Sequence, residues 1–385
     1  MDIIIDGRVI QDHFPGIARY TYNLLATLPG CLQPGDTLQA LRLPAAPNVR
    51  YNWSDLCERG VLVQDYPTGI FKAANLLRQP QLSDKGNTVI HFPYYMRPYR
   101  MRQPSVTTIH DLITFVYPQM APNAMARLSI RLFNALAVRT SRAIIAVSRS
   151  AAQDLERCFP AARGRIAVIY EAADAIFAPQ PRDRIEQVLE KYKLPPQFAL
   201  FLASNKPHKN LARLMDAWQI MVRDWKLRAG APTIADLQSP ALVVAGHRDP
   251  RYTEAERRAQ ELGIEANVKF IGAVSNEDMP ALYSACSLFV FPSLYEGFGL
   301  PPLEAMACGA PLACSKASSL PEVAGNAALL FDPLRPDDIA AACRRILTDT
   351  ALQSDLRRRS VAQAACFSWS AAARSTIDVY RSILR

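Results

Sequence analysis

Several features that would place a chain in other classes of protein are missing from this sequence. No stretch approaches the roughly 20 consecutive apolar residues that a membrane-spanning helix needs. The eight cysteines are scattered without a C-x-x-C pair, which favours free thiols in a reducing compartment. The opening residues, MDIIID, carry acids where an export signal carries basic residues. We therefore expect a cytoplasmic protein, with attachment to the inner face of a membrane as a further possibility.

Acidic residues are scarce in one region of a chain that is basic overall. Residues 97–149 contain eight arginines and one acid, Asp111. Within this region, 125–133 has the pattern of a helix with Arg127 and Arg131 beside apolar positions. Such a face suits anionic lipid headgroups or an anionic lipid-linked substrate, although solvated helix faces also carry arginines. No nucleic-acid-binding motif accompanies the charge, so we expect no nucleic-acid partner.

The length of 385 residues and the hydrophobic content of 50% predict two domains, each with its own core. Short apolar strands alternate with helical segments in both halves, which indicates an α/β chain with two doubly wound, Rossmann-like parallel sheets. The predicted strands lie at 3–5, 88–92, 105–110 and 143–148, then at 198–203, 241–246, 268–272 and 288–291. The predicted divisions are a first domain at 1–178, a linker at 179–195, a second domain at 196–368 and a terminal helix at 369–385.

The most informative stretch is YEGFGLPPLE at 295–304, which places two carboxylates, Glu296 and Glu304, around a turn and a helix start. Gly297 and Gly299 allow a sharp turn and a close approach of the backbone to a ligand. The prolines at 301–302 suit the first turn of a helix, where a missing N–H costs nothing. A helix beginning here directs its N–H groups and positive dipole end at the loop, which favours a diphosphate.

This stretch, with the small-residue helix that follows it, resembles the E-x7-E signature of retaining glycosyltransferases of the GT-B fold, glycosyltransferase family 4. The resemblance implies two domains that face a cleft and a terminal helix that crosses back to the first domain. It also implies that Glu296 lies beside the transferred sugar and the leaving phosphate, and that Glu304 binds the ribose hydroxyls of the nucleotide. The donor-binding residues of this stretch are Gly297, Phe298, Gly299, Leu300 and Glu304.

A second predicted donor-binding loop is SNKPHKN at 204–210, which follows the first strand of the second domain. A fixed ammonium here stabilises the charge that grows on the leaving diphosphate. Lys209 matches the family's phosphate-binding lysine and is a predicted catalytic residue. The arginine that many members carry a few residues earlier is missing, so Lys206 is its provisional substitute. Asn205 is assigned to donor binding with it.

The metal-binding motif of other glycosyltransferases is also missing from this sequence. Glycosyltransferases of the other common fold hold a cation through an Asp-x-Asp motif after a strand, and this sequence contains no such motif. A lysine and a helix dipole can neutralise a diphosphate in place of the cation. We therefore expect neither a metal nor another cofactor.

In the first domain, candidate residues follow the predicted strands, where ligands of such sheets gather. His110 resembles the family's catalytic histidine at the donor sugar, while Asp111 either faces the acceptor or caps a turn. By resemblance, Gly16 lies where the backbone approaches the donor diphosphate, Arg19 meets the acceptor or covers its helix, and Tyr94 lines the acceptor side. For each, a purely structural role is the alternative.

Recognition of the nucleotide base is expected at two strand-to-loop turns of the second domain. These turns contain Gly246, Gly272 and Val274. Backbone groups would make most of the contacts there, and such contacts leave little signature in a sequence. The expected identity of the base therefore depends on the family resemblance and not on these residues.

Together these features predict a retaining hexosyltransferase, with mannose from GDP-mannose as the first choice of donor and a saccharide or lipid-linked saccharide as acceptor. The resemblance to bacterial transferases that build O-antigen or exopolysaccharide supplies this choice. It also implies front-face attack through an oxocarbenium ion pair, with double displacement as the alternative. The other hypotheses are a UDP-sugar donor, a UDP-sugar epimerase of the same fold, and a non-catalytic scaffold that binds a sugar nucleotide.

Overall fold

The structure, a computed structural model, describes residues 1–72, 75–76, 86–229 and 241–385. The chain divides into two compact units. The first unit comprises Met1–Ala172 together with the terminal segment Ser368–Arg385, and the second comprises Ala173–Phe367.

The first unit is built on a seven-stranded parallel sheet with the order β3-β2-β1-β4-β5-β6-β7. The inner strands β4, β5 and β6 are short and buried at every position, as parallel strands covered by helices on both faces are. The seven strands are β1 Asp2–Ile5, β2 Thr37–Arg42, β3 Leu62–Asp65, β4 Thr88–Phe92, β5 Ser105–Ile109, β6 Ala143–Ala146 and β7 Ile166–Val168.

The helices of the first unit begin where short polar side chains or proline favour a helix start. Asn123 caps α4 by accepting a hydrogen bond from the N–H of Ala126, and Pro15 opens α1. The α-helices described before the second unit are α1 Pro15–Thr27, α2 Trp53–Glu58, α3 Ile113–Val116, α4 Ala124–Thr140 and α5 Arg149–Cys158. Single 3-10 turns lie at Gly7–Val9, Leu28–Cys31, Pro118–Met120 and Pro160–Ala162.

The second unit repeats this architecture with a six-stranded parallel sheet of order β10-β9-β8-β11-β12-β13. Its strands are β8 Ala199–Leu202, β9 Leu242–Ala245, β10 Val268–Gly272, β11 Leu288–Phe291, β12 Leu312–Ser315 and β13 Ala328–Phe331. Its helices are α6 Arg182–Lys191, α7 Leu211–Ala229, α8 Glu254–Glu261, α9 Met279–Ala285, α10 Leu300–Ala307, α11 Leu320–Ala324, α12 Pro336–Thr348 and α13 Thr350–Ala364. Two 3-10 turns lie at Pro207–Lys209 and Glu265–Asn267.

The last helix, α14 Trp369–Leu384, returns to the first unit, as the sequence predicts. Ile377 and Tyr380 are buried in the core beside Tyr20 of α1. The hydroxyl of Tyr380 lies 2.6 Å from Nδ1 of His91 in β4, and His91 Nε2 lies 2.7 Å from Thr108 Oγ1 in β5. Burial lowers the pKa of His91 to about 3, so a neutral imidazole joins the terminal helix to the sheet.

The segment 179–195, for which the sequence predicts a linker, contains helix α6 of the second unit. This helix is mostly polar and buries Val188, so it lacks the broad apolar face that makes a helix visible in a sequence. Ion pairs fasten it instead. Arg184 and Lys191 lie 2.7 and 2.5 Å from the two carboxylate oxygens of Asp278, which precedes α9.

The predicted fold class is confirmed, because both units are parallel sheets with Rossmann-like strand order. All strands of a parallel sheet end at the same edge, so the loops that follow them meet there. In the first unit this edge collects the loops after β4, β5 and β7, and in the second unit those after β8 and β11. These loops contain most of the predicted site residues.

Candidate functional site

In the second unit an ion pair joins the loops after β8 and β11. Lys209, at the end of the 3-10 turn after β8, places Nζ 2.6 Å from Oε1 of Glu296. The two side chains are only 11% and 12% exposed. Lys209 Nζ also lies 5.2 Å from the centroid of the Phe291 ring. Two predicted catalytic groups, 87 positions apart in the chain, therefore meet in a largely dry setting where charges interact strongly.

The loop that presents Lys209 is held by a residue that the sequence does not single out. Asn210 adopts a left-handed conformation with φ of 62°, which asparagine tolerates better than most residues. Its amide donates to the carbonyls of Pro292, at 3.1 Å, and Pro333, at 2.7 Å. Arg213 in turn donates to the side-chain oxygen Oδ1 of Asn210 at 3.1 Å. Asn210 thus fixes the turn that aims the lysine.

The glycine turn after β11 is held by two serines that follow β12. Ser318 Oγ accepts from the N–H of Glu296 at 2.8 Å, and Ser319 Oγ lies 2.5 Å from the carbonyl oxygen of Phe298. Gly299 has φ of 115°, and a Cβ there would lie 2.9 Å from Leu320 Cδ2. The positive φ and the close contact with Leu320 therefore explain the predicted glycine at position 299. Neither serine was predicted, because both lie far from the glycine turn in the sequence.

The helix after this turn offers fewer N–H donors than the sequence suggests. It begins at Leu300, so the prolines at 301–302 both fall in its first turn and contribute none. The N–H of Leu303 donates to the carbonyl of Gly299 at 3.3 Å. Within the first three helical positions, Leu300 is the single residue with an N–H to offer an anion. Lys209 therefore supplies a larger part of the positive charge that an anionic ligand would meet here than the sequence suggests.

Glu304, the second signature carboxylate, lies in α10 and is 3% exposed. The hydroxyl of Tyr283 in α9 donates to its Oε2 at 3.2 Å. The ribose-binding role assigned to Glu304 stays a prediction. Tyr283 is a neighbour that sequence reasoning missed, because nothing in the stretch 279–285 marks it as other than core.

The other predicted donor residues of the β8 loop have different surroundings. Asn205 holds a neighbouring loop, since its amide nitrogen donates to the carbonyls of Asp249 and Tyr252 while its oxygen accepts from the Asp249 N–H. Its side chain is therefore occupied by protein. Lys206 is exposed, and its part in phosphate binding stays a prediction.

The two glycines predicted at the base site lie next to each other. The N–H of Gly246 donates to the carbonyl of Gly272 at 2.7 Å, and both residues have positive φ. A Cβ on Gly246 would lie 2.0 Å from the carbonyl oxygen of Ala203, whereas one on Gly272 would meet nothing within 4 Å. Packing therefore explains Gly246 without a ligand. Val274 is half-buried in the same loop as Gly272.

In the first unit, the imidazole of His110 lies between two hydrogen-bond acceptors. Nδ1 is 3.1 Å from Oε1 of Glu171, which follows β7 and is 4% exposed, and Nε2 is 3.2 Å from the carbonyl oxygen of Pro93. The Tyr20 ring packs edge-on at 4.8 Å between centroids. Glu171 was not predicted, because β7 is only three residues long and gives little strand signal.

A cavity of about 250 Å³ opens beside His110 and brings three predicted residues together. Tyr94, His110 and Asp111 line it, with Ile130 and Asn134 of α4 on one side. Asp111 also accepts from the N–H of Ile113 at 2.9 Å, as the capping alternative requires. The other lining residues are Phe14, Ile17, Tyr95, Thr108, Ile109, Ile113, Thr114 and Phe115.

Gly16 and Arg19 lie on α1, close in sequence to the cavity-lining residue Ile17, but neither of them lines the cavity. Gly16 is exposed, and a Cβ there would meet nothing within 4 Å. Packing therefore gives no reason for glycine at this position.

Within 1–72, 75–76, 86–229 and 241–385, no three His, Cys, Asp or Glu side chains cluster as a metal site would. No helix in the same ranges combines the length and the apolar character needed to cross a bilayer.

Two Rossmann-like units of this kind form the architecture of GT-B glycosyltransferases. Solved structures agree on the fold. Sucrose-phosphate synthase from Thermosynechococcus elongatus superimposes with a TM-score of 0.70 at 20% identity, covering 99% of this chain and 98% of that one. Anabaena HepE in complex with UDP and glucose gives a TM-score of 0.69 at 19% identity, with 99% of each chain covered.

Family models match both units. The model "Glycosyltransferase Family 4" matches residues 61–177, and "Glycosyl transferases group 1" matches residues 182–363. O-antigen chain mannosyltransferase B of Escherichia coli is 33% identical over 305 residues, covering 78% of this chain and 76% of that protein. The chain belongs to this family of group 1, family 4 glycosyltransferases. Serotype-specific mannosyltransferase WbdA of Escherichia coli is 36% identical over 247 residues, covering 63% of this chain but 29% of WbdA.

Proposed function

We propose that this protein transfers a hexose, mannose from GDP-mannose, to an acceptor hydroxyl with retention of anomeric configuration. The acceptor is a saccharide or a lipid-linked saccharide, and the product belongs to a cell-surface polysaccharide. The observation that carries the proposal is the Lys209–Glu296 ion pair, at 2.6 Å, beside the glycine turn that opens α10.

In this proposal Lys209 acts on the leaving group. Negative charge grows on the diphosphate as the bond to the sugar breaks, and an ammonium already held in place stabilises that charge without reorganisation. The Leu300 N–H and the positive end of α10 add to it. Glu296 accepts hydrogen bonds from the sugar and orients it, while the leaving phosphate takes the proton of the acceptor hydroxyl.

The choice of mannose rests on the relatives. Three relatives, O-antigen chain mannosyltransferase B, WbdA and an MMP alpha-(1->4)-mannosyltransferase, have names that specify mannosyl transfer. GDP-mannose is therefore the first donor to test. A UDP-sugar is the alternative within the same frame, since the backbone turn at Gly246 and Gly272 does not distinguish the bases.

On the acceptor side, the cavity beside His110 supports binding of a sugar ring, because aromatic and polar side chains line it together. The basic stretch 97–149 supports a peripheral position at the inner face of a membrane, where an anionic lipid-linked acceptor would be presented. No metal or other cofactor takes part in the proposed reaction.

The test is a transfer assay with purified protein and radiolabelled GDP-mannose, UDP-glucose or UDP-galactose, each with and without EDTA. Selective mannosyl transfer that resists EDTA, with an axial product bond by NMR, supports the proposal. A requirement for added metal contradicts the proposed role of Lys209 and α10, an inverted product contradicts retention, and transfer from a UDP-sugar alone contradicts the donor. Nucleotide binding without any turnover would favour the scaffold hypothesis.

Two substitutions separate the roles of the carboxylates. Glu296→Gln should lower kcat strongly and leave donor binding intact, whereas Glu304→Ala should weaken binding of GDP-mannose. Glu265→Gln, at an exposed carboxylate of the same unit, is the matched control and should change neither. The reverse pattern would contradict the assignment of the two glutamates.

A further inference from the structure

Helix α4 exposes an apolar stripe on its outer face. Met125, Leu128 and Leu132, at helical positions i, i+3 and i+7, are 72%, 64% and 52% exposed. No other described helix carries three large exposed apolar side chains. Single exposed apolar residues are normal on a protein surface, but a contiguous stripe on one helix face marks an interaction surface.

Arginines without acidic partners accompany this stripe. Arg127 and Arg131 are exposed one turn apart beside it, and Arg139 is exposed further along the same helix. None of the three forms an ion pair in the described part of the chain, and α4 itself contains no acidic residue. Arg131 packs its guanidinium 5.5 Å from the Phe115 ring centroid. Unpaired cations beside a narrow apolar stripe complement an anionic lipid interface, where headgroups meet the arginines and acyl chains receive the apolar side chains.

The opposite face of the same helix borders the candidate acceptor cavity. Ile130 and Asn134 line that cavity together with His110, and Asn134, Ala137 and Val138 are buried in the first unit. A helix with its side chains is about 10–12 Å across. A membrane that contacts the outer face of α4 would therefore lie about one helix diameter from the cavity.

We propose that α4 docks the protein on an anionic membrane surface, with Met125, Leu128 and Leu132 inserted at the level of the headgroups and Arg127 and Arg131 bound to lipid phosphates. The docked helix holds the cavity beside His110 at the height of a saccharide carried on a membrane lipid. The second statement rests on the proposed glycosyl transfer, whereas the docking itself does not.

Docking is tested by co-sedimentation of the full chain with vesicles of phosphatidylcholine alone or mixed with phosphatidylglycerol. The wild type should bind the mixed vesicles and lose binding at high salt. Arg127→Gln with Arg131→Gln should lower the partition coefficient about thirtyfold, since each arginine near an anionic surface contributes about fivefold. Replacing the three apolar residues by serine should abolish binding. Circular dichroism should be unchanged, because all five side chains are exposed.

Two matched controls use residues outside α4. Leu334→Ser replaces a leucine of the second unit that is 62% exposed, and Arg163→Gln replaces an exposed arginine of the first unit. Both should bind the mixed vesicles like the wild type. Equal binding to both kinds of vesicle, or equal loss in the controls and the α4 variants, would overturn the docking proposal.

Transfer assays then separate docking from catalysis. The α4 variants should keep wild-type rates on a soluble saccharide acceptor and lose at least about tenfold on a lipid-linked acceptor in mixed vesicles. If the wild type transfers the sugar to the soluble acceptor but does not bind vesicles, the docking proposal is overturned and the proposed function is supported. Vesicle binding that depends on α4, without transfer from any sugar nucleotide, would support docking and overturn the proposed function.

Discussion

At the end of the second unit's sheet, a lysine and a glutamate form an ion pair, whereas the first unit has a histidine held between a carboxylate and a carbonyl. The sheets are of the same kind, and both sites use loops that follow parallel strands. In the second unit the candidate functional residues come mainly from two compact motifs, at 204–210 and 295–304. In the first unit they come from single positions on separate loops.

This difference teaches that one architecture can supply two kinds of chemistry. A charged, rigid site suits a diphosphate, because developing charge meets groups already fixed in place. A cavity lined by aromatic rings and one polar ring suits a neutral sugar, because ring faces supply contact area and a few polar groups supply orientation. The predictions below test whether the two units divide the work in this way.

The largest effect is expected at the charged site of the second unit. Lys209→Met should lower kcat roughly 100- to 1000-fold, as removal of one electrostatic donor to a developing oxyanion does. The measurement is steady-state transfer with saturating donor. Lys269→Met, at an exposed lysine of β10 in the same unit, is the control and should cost less than about threefold. Similar losses in both variants would mean that the ion pair with Glu296 has no special part in the reaction.

The free energy of unfolding should distinguish glycines at which neighbouring atoms exclude a side chain from glycines that have open surroundings. Gly246→Ala should lower the free energy of unfolding by roughly 3 kcal/mol, because a Cβ would collide with the Ala203 carbonyl in a backbone conformation unfavourable to other residues. Gly272→Ala should cost only about 1 kcal/mol, since its surroundings are open. Chemical denaturation of the three proteins gives the comparison.

The matching glycine of the first unit has no packing partner. Gly16→Ala should leave stability unchanged or slightly raised, because it lies in a helix with open surroundings. A loss of transfer activity without a loss of stability would support close approach of a ligand to this backbone. Full activity of Gly16→Ala would remove Gly16 from the site.

Each unit also contains a histidine whose titration should appear in stability: His91, which is buried, and His208, which is half-buried. Burial lowers the pKa of His91 to about 3 in the first unit, and burial with the nearby Lys209 lowers that of His208 to about 4 in the second. In the unfolded chain these histidines take up protons as the pH falls through about 6.5, whereas in the folded protein they stay neutral until the pH approaches 4. The free energy of unfolding should therefore be highest above pH 6.5 and decrease as the pH drops toward 4. Each histidine should cost about 2 kcal/mol at pH 5.

Denaturant titrations between pH 7.5 and 4.5 measure this slope. His208→Gln should remove the contribution of His208 to the pH dependence of the free energy of unfolding. His91→Gln should remove the contribution of His91. A slope that neither substitution alters would show that other groups govern the acid sensitivity.

The smallest effect is expected at the histidine site of the first unit. Glu171→Gln keeps an oxygen that can accept from His110 Nδ1 but removes the charge, so the hydrogen bond loses about half its strength. We expect a loss in kcat of about tenfold with little change in donor KM. Glu156→Gln, at an exposed carboxylate of α5, serves as the control. An unchanged pH profile in Glu171→Gln would leave Glu171 with a structural role only.

Prediction from the sequence succeeded for most of the inner strands of the two sheets. The predicted strands correspond to β1, β4, β5 and β6 in the first unit and to β8, β9, β10 and β11 in the second, and α14 begins and ends as predicted. Five strands were missed: β2, β3, β7, β12 and β13. Strands β3 and β7 are short and half-exposed, so their patterns resemble loops, but β12 is buried along its whole length and was missed as well. Helix α6 was missed because ion pairs with Asp278, not an apolar face, hold it in place.

The same limit applies to the candidate site. Local motifs in the sequence suffice to mark Lys209, Glu296, Gly299 and Glu304, because phosphate binding and tight turns require particular residue types at short spacing. The partners Glu171, Tyr283, Ser318 and Ser319 carry no such motif. They are ordinary residues until the fold brings them within 2.5–3.2 Å of His110, Glu304, Glu296 and Phe298 respectively.

The sequence by itself determined the α/β class, the family and the two charged loops of the second unit, since these depend on spacing along the chain. Only the tertiary structure decided that Lys209 pairs with Glu296, that His110 is held by Glu171, and that α4 turns one face to the cavity and an apolar stripe outward. The physical reason is that parallel sheets gather the ends of strands that lie far apart in the chain. A contact across 61 or 87 positions has no trace in local patterning.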